Sequence, residues 1–399
     1  MKKVVIFGAG TLGRSLYAQL KGAADISDIV VVDNDRDKLN DHVLSPDILK
    51  TLQFDILYIA ASFAYNEILV QLTEELNIPK NKIANIEEVQ EHFQTLAEDE
   101  STIIGDFWSD EHTKKRVKLN WSESPFAIRQ INKLYFNIDS GSYLAGHMQL
   151  LSNRLSGRTL KTGISIGCGS ASAEMNMLRQ GIVEKFICFE LAEKVIELAK
   201  KRSEKLGLSD RIEFINADVF AADLEDTKID FVHWNHSLHH MFDAKASVKW
   251  SYDLLQPGGV FYFNEYVGAS RFQFARHVVD AANEVRSSMP RKYLKNPQRD
   301  GTYIERYENP DVYIMKKTDP SEAADSANIL SGVRQYFPQA EIVPMGGLVY
   351  FAALSRLWGN FDEENEEDLA FLARLMEKDK FYSNKSEDMN PFMAGIAIK

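Results

Sequence analysis

Twice along the chain a short apolar run stops at a glycine turn and gives way to a helical pattern. The first run, Lys3-Val4-Val5-Ile6-Phe7, is apolar on both faces, as a strand covered on both sides of a parallel sheet must be. Its turn is Gly8-Ala9-Gly10-Thr11-Leu12-Gly13, followed by a helical pattern from Arg14 to Leu20. Strands are predicted again at residues 29–32, ending in Asp33, at 54–60 and, shorter, at 82–86, with a helix over 65–76. An acidic helical segment at 87–100 closes this unit. The second run, Gly163-Ile164-Ser165-Ile166, leads into Gly167-Cys168-Gly169-Ser170-Ala171 and a helix starting near Glu174. Strands follow at 186–189, ending in Glu190, at 211–216, leading to Asp218, at 229–234, and at 260–264 behind a Gln-Pro-Gly-Gly turn.

The tail completes the pattern. Asp319-Pro320-Ser321-Glu322 reads as a capped helix start running to Tyr336, residues 340–344 as a sixth strand, and the apolar 393–398 as a returning antiparallel strand. The acidic run 362–368 reads as the solvated first turn of a helix. The fold class is therefore α/β, with two Rossmann-like doubly wound domains, the larger a seven-stranded sheet with an antiparallel C-terminal strand. We divide the chain into 1–100, a helical linker or cap at 101–160, and 161–399, in which 268–320 is an insertion rich in Arg, Lys and Tyr that shapes the acceptor site.

Composition narrows the partners. The 399 residues suffice for two cores, and 58 acidic against 46 basic residues give a formal charge of −12, unsuited to a nonspecific grip on nucleic acid. Two cysteines, Cys168 and Cys188, make no disulfide framework and fit a reducing compartment. No uncharged apolar run reaches membrane-span length, and the apolar stretch of MKKVVIFGAGTLG is too short for the core of a secretory signal. The expectation is a cytoplasmic protein with no nucleic-acid partner and no membrane insertion. A homo-oligomer stays open.

The glycine turns carry the candidate chemistry. Backbone amides at a helix start favour an anion, and an acid at a strand's end suits a ribose diol. That makes Gly8, Gly10, Thr11, Leu12, Gly13 and Asp33 a candidate site for NAD or a nucleotide-sugar, against a purely structural or docking role. No Tyr-x-x-x-Lys pair accompanies it. With Asp33-Asn34-Asp35 and the strand from Asp55 to Ser62, this region resembles the small Rossmann-like domain attached to many bacterial sugar-modifying enzymes.

The second unit resembles the class I, Rossmann-like S-adenosylmethionine-dependent methyltransferases. The resemblance rests on ISIGCGSA, the strand-end Glu190, the NADVF stretch, WNHSLHH and LLQPGGVFYF, in that order over roughly residues 162–265. It implies a donor site made of Gly167, Cys168, Gly169, Ala171, Glu190, Leu191, Asp218, Val219 and Asn235, with Tyr143 of the preceding cap as a contact. Glu190 would accept from the ribose diol and Asp218 from the adenine amino group. Two departures stand out: the acid often found in the first strand is Ser165, and the third glycine is Ala171. Ligands sit beyond the carboxyl ends of parallel strands, so the reacting end falls near His236, His239 and Glu265, our candidates for a base. His236 and His240, four apart, would clamp a metal on a helix, but no third ligand is evident in sequence, so no metal is expected. The reading is a methyltransferase acting on an O or N atom of a small-molecule or saccharide acceptor. The alternatives are an NAD(P)-dependent oxidoreductase working from the first glycine turn and a non-catalytic binding protein.

Overall fold

The computed structural model describes residues 1–21, 25–61, 64–84, 120–224 and 227–399, and these divide into two compact units. The first holds residues 1–84 of the described chain together with Asn296–Thr302 and Asn309–Pro320. Its strands β1 (Lys2–Phe7), β2 (Ile26–Val32), β3 (Val43–Leu44) and β4 (Ile56–Ile59) form one parallel sheet in the order β3-β2-β1-β4. α1 (Thr11–Leu20) follows the glycine turn, where a Cβ on Gly13 would lie 1.7 Å from the Gly8 carbonyl oxygen, so the close approach of helix to strand requires glycine there. Ile83 makes an isolated bridge to Leu57 rather than a ladder, and residues 85–86 of the expected fourth strand lie outside the described residues, as does the expected helix at 87–100. The helix expected over 65–76 is α2 (Tyr65–Val70), which widens into a π-helical turn at Gln71–Glu75.

The second unit is built on seven strands in the order β10-β11-β9-β8-β5-β6-β7. β5 (Leu160–Ile166), β6 (Val183–Phe189), β7 (Ile212–Ile215), β8 (Ile229–Asn235) and β9 (Leu255–Tyr266) run parallel to their neighbours in this set. β11 (Phe392–Ile398) inserts antiparallel between β9 and β10 (Glu341–Pro344). Its side chains are buried from Phe392 to Ala397, which explains the uniformly apolar sequence of the last residues. α3 (Pro125–Phe136) and α4 (Ala145–Leu155) precede the sheet. α5 (Ser172–Arg179) and α6 (Glu193–Lys205) are the crossover helices after β5 and β6.

Three local expectations change. No helix starts at Asp319: Ser321 to Asp325 form a turn with Ala323 in the left-handed region (φ 48), and the helix runs only over Ile329–Tyr336. The acidic run does lead into a helix, Glu366–Ser383 capped by Asn365, but Asp368 is not solvated. It is buried, accepts from Tyr293 OH at 2.5 Å and pairs with Lys292 at 3.1 Å. The segment expected as an acceptor-site insertion, 268–320, is divided between the two units. Among the described residues no helix is long and apolar enough to cross a membrane.

Candidate functional site

The carboxyl ends of β5, β6 and β8 carry the loops that the sequence singled out. After β5 the backbone turns left-handed at Gly167 (φ 62), Gly169 (φ 53) and Ala171 (φ 50). A Cβ on Gly167 would stand 2.7 Å from the Cβ of Ser237, so glycine lets the loop after β8 close against this turn. Ala171 takes the strained conformation that a third glycine would hold freely, and its N–H donates to the Cys168 carbonyl at 2.9 Å. The Cys168 N–H donates to Phe189 O at 3.1 Å, tying the turn to the end of β6.

Glu190 follows directly. Its carboxylate accepts from the Gly169 N–H at 2.8 Å and from the Ala192 N–H at 2.9 Å, so one side chain joins the first two loops. The Leu191 carbonyl accepts from Asn216 Nδ2 at 3.0 Å, which holds the third loop to the second. Asp218 accepts from the Phe220 N–H at 3.0 Å and so caps a 3-10 turn that buries Val219.

Although β5 lacks an acid, a carboxylate does lie under the turn. Glu174, buried in α5, accepts from Ser165 Oγ at 2.7 Å and lies 2.8 Å from His233 Nδ1. Burial works to raise its pKa, but the bonds to His233 and Ser165 outweigh it and leave the carboxyl below its ordinary value.

At the ends of β8 and β9 a polar network closes the site. Asn264 Nδ2 donates to Asn235 Oδ1 at 2.8 Å and to Tyr143 OH at 2.9 Å, and Tyr143 OH also meets His236 Nε2. His236 is left-handed (φ 54), with its N–H on Asn264 O at 2.8 Å. Beside it Glu265 Oε1 accepts from the Ser237 and Leu238 N–H groups, both at 2.7 Å, and Oε2 lies 2.6 Å from His239 Nδ1. Burial drives both members of this pair toward their uncharged forms, His239 down to about 3 and Glu265 up to about 7. Burial likewise lowers His236 to about 4, against the pull of Glu265.

Gly167, Cys168, Gly169, Ala171, Glu190, Leu191, Asp218, Val219 and Asn235 thus lie on loops at one edge of one sheet. Tyr143, His236, His239 and Glu265 stand at its β8–β9 end. The helical metal clamp of His236 and His240 does not form, because the chain there is a left-handed residue followed by a 3-10 turn at Leu238–His240.

Several participants went unnoticed in the sequence. Asn264 immediately precedes Glu265 at the same strand end, and the strand-end argument that nominated one applied equally to the other. Ser237 and Glu174 carry no local signal, since only folding brings them against the glycine turn. Among the described residues, Ser237 Oγ and Asn264 Oδ1 are buried without a hydrogen-bond partner. The unsatisfied Ser237 hydroxyl beside the tight glycine turn fits a ligand with an amino acid end.

In the first unit Asp33 accepts from the Ala9 N–H at 2.7 Å and the Asp35 N–H at 2.8 Å, with Lys38 Nζ at 3.4 Å. Gly8 (φ 118) donates its N–H to Val32 O at 2.7 Å, and Gly10 is the extended residue at the start of α1. The side chains of Thr11 and Leu12 lie outside what the structure describes.

Comparisons with known proteins bear on both units. Residues 164–263 match the family model described as a methyltransferase domain, and residues 1–84 match the one described as C2185-like, N-terminal. A 27-O-demethylrifamycin SV methyltransferase of Amycolatopsis mediterranei (strain S699) is 32% identical over 113 residues, which cover 27% of this chain and 41% of that protein. The chain thus spans about two fifths of the length of that relative. Among solved structures, phosphoethanolamine N-methyltransferase 2 of Haemonchus contortus is 12% identical, with 100% of this chain and 95% of that one covered and a TM-score of 0.41. The plantazolicin methyltransferase BpumL in complex with SAH is 14% identical, with 79% and 98% covered and a TM-score of 0.37.

Proposed function

From the premise that the second unit carries a class I methyltransferase domain, we propose that the chain moves a methyl group from S-adenosylmethionine to a hydroxyl oxygen of a small-molecule or saccharide acceptor. The supporting observation is that the glycine turn, Glu190 and Asp218 share one sheet edge, next to a buried histidine held by a buried carboxylate. The name of the curated relative, which describes an O-demethylated substrate, favours oxygen over nitrogen.

When bound, S-adenosylmethionine supplies an electrophilic methyl on a sulfonium. The residues of this chain do the rest. The Gly167–Gly169 turn and the hydroxyl of Ser237 receive the donor's amino acid end, the carboxylate of Glu190 its ribose diol, and the loop of Asp218 and Val219 its adenine. Tyr143, Asn235, Asn264 and His236 form the wall beside the reacting end. Glu265 holds His239 through Nδ1, so that Nε2 is the atom to take the proton. Burial makes this imidazole a weak base, and it gains the proton only as the C–O bond forms and the acceptor hydroxyl releases it, with the Glu265 carboxylate beside Nδ1 stabilising the charge. Holding that oxygen in line behind the methyl can supply about 7–11 kcal/mol of the barrier reduction.

Calorimetry with S-adenosylhomocysteine tests the donor site, and an absence of heat overturns the reading. His239→Gln should keep that affinity and lose methyl transfer to hydroxyl acceptors. The oxidoreductase alternative has less support, since no Tyr-x-x-x-Lys pair accompanies the first glycine turn and Lys38 Nζ lies 3.4 Å from the Asp33 carboxylate. Heat from NADH that vanishes in Asp33→Ala would revive it, and a nucleotide-sugar titrated the same way tests the other candidate ligand of that turn.

A further inference from the structure

The turn at Ser321 to Ala324, which the sequence presented as a helix start, is instead docked on the His239-His240 segment. The Ala324 N–H donates to His239 O at 3.0 Å, Ser321 Oγ meets His240 Nδ1 at 2.9 Å, and Arg271 Nη1 donates to the Glu322 carbonyl at 2.9 Å. The Arg271 N–H adds a bond to Ala323 O at 2.7 Å. These contacts carry Glu322 to the mouth of the site, with Oε1 3.7 Å from His239 Nε2. That separation is too long for a direct hydrogen bond.

His239, His240 and Glu322 each offer one ligand atom, and the three atoms lie within 4.8 Å of one another. The two imidazole rings are 4.2 Å apart, centre to centre. In a tetrahedral zinc site with bonds of about 2.0–2.1 Å, ligand atoms stand about 3.3 Å apart. Closing the set therefore takes at most about 1.5 Å, and the Glu322 side chain, 22% exposed, has room to move. The carboxylate that orients a ligating histidine is also in place: Glu265 lies 2.6 Å from His239 Nδ1 and is itself fixed by two backbone amides, the arrangement that sets a metal ligand's tautomer and ring plane. Glu322 adds a carboxylate oxygen to the two imidazole nitrogens of the set.

We propose that His239, His240 and Glu322 form a binding site for a divalent transition-metal cation of the zinc type, with a fourth coordination position open to water. The donor set, two imidazoles and one carboxylate, is of intermediate softness and suits zinc, cobalt or nickel over magnesium or calcium. The sequence hid this site because its third ligand lies 82 positions beyond His240, in a segment whose local pattern reads as a helix cap. The inference stands apart from the proposed function, and the two meet at one atom. The His239 Nε2 lone pair that would bind the cation is the one that would take the acceptor's proton, so a loaded site is closed to that role.

The test uses the full chain, stripped with a chelator and titrated with Zn²⁺ by calorimetry and with Co²⁺ by visible absorption. One equivalent should bind, with a cobalt spectrum of low coordination number. Glu322→Gln and His240→Ala should each weaken binding tenfold or more, while His277→Ala, at the exposed His277–Asp388 pair, should leave it unchanged. Thermal unfolding of each metal-free variant shows that it is folded. Absence of stoichiometric binding, or binding that survives both Glu322→Gln and His240→Ala, overturns the proposal. S-adenosylhomocysteine titrated in parallel separates the two ideas: donor heat without zinc binding sinks only the metal site, and zinc binding without donor heat sinks only the methyltransferase reading.

Discussion

Replacing Glu190 is the sharpest test of the donor site, because its carboxylate has two separable duties. It bridges the first two loops through the Gly169 and Ala192 N–H groups, at 2.8 and 2.9 Å, and its remaining lone pairs would accept from the ribose diol. Hydrogen bonds to a charged partner contribute about 1.5–3 kcal/mol each. Two such bonds, discounted for the water that replaces them, make Glu190→Ala worth about 3 kcal/mol of donor affinity, a loss of a hundredfold or more in Kd. Glu190→Gln keeps the volume and one acceptor oxygen, and should lose about tenfold. Calorimetry with S-adenosylhomocysteine reads both values, and thermal unfolding without ligand reports the loop-bridging duty separately. If Glu190→Ala, alone and combined with Asp218→Ala, binds within threefold of the parent chain while remaining folded, the proposed donor site is wrong.

Three further outcomes follow from the same contacts. Gly167→Ala places a Cβ 2.7 Å from that of Ser237 at a φ of 62°, and should cost about 1–3 kcal/mol in urea unfolding and abolish donor binding; unchanged stability would show that the loop is not closed as described. His147 is lowered from 6.5 to about 3 by burial, so its contribution is intact above pH 6.5 and is lost as the pH falls toward 3, the unfolded chain taking the proton first. His147→Gln should therefore flatten the pH dependence of unfolding between pH 6.5 and 4 by up to about 1.4 kcal/mol per pH unit, and parallel slopes would refute this. Deleting residues 392–399 removes the strand between β9 and β10 with five buried apolar side chains, a loss comparable to the whole stability of about 5–15 kcal/mol, so circular dichroism should show no cooperative melting.

Most of the sheet could be read from the sequence because its central strands contain short buried apolar runs, and β5 and β6 are followed directly by Gly167 and Glu190. β11 was visible for the same reason, since its six consecutive apolar or glycine residues suit a strand covered on both faces. What escaped was every feature decided by a distant partner. Asp368 looked like a helix-start acid facing water, and the tyrosine that buries it, Tyr293, lies 75 residues earlier. Ser321 and Glu322 looked like capping residues, and the histidines that claim them lie 81 and 83 residues earlier.

That failure has a physical pattern. The non-glycine residues Ala171 (φ 50), His236 (φ 54), Arg271 (φ 56), Phe272 (φ 53) and Ala323 (φ 48) all take a conformation that side chains disfavour, and all lie in loops of the second unit, at the glycine turn or in the segments around the histidines. Local propensity predicts none of them. Two are held by distant partners, His236 N–H to Asn264 O and Arg271 N–H to Ala323 O, and two by tight turns, Ala171 N–H to Cys168 O and Phe272 N–H to Ala269 O. The strain has a use at this end of the sheet. A relaxed helix from Asp319 would keep its amides within itself, whereas in the left-handed turn the Ala324 N–H is shared between Ser321 O and His239 O, both at 3.0 Å, which docks the turn on the histidine segment with Glu322 near His239. Where the chain departs from its cheapest local structure, it assembles the only part of the second unit in which two imidazoles and two carboxylates meet among the described residues.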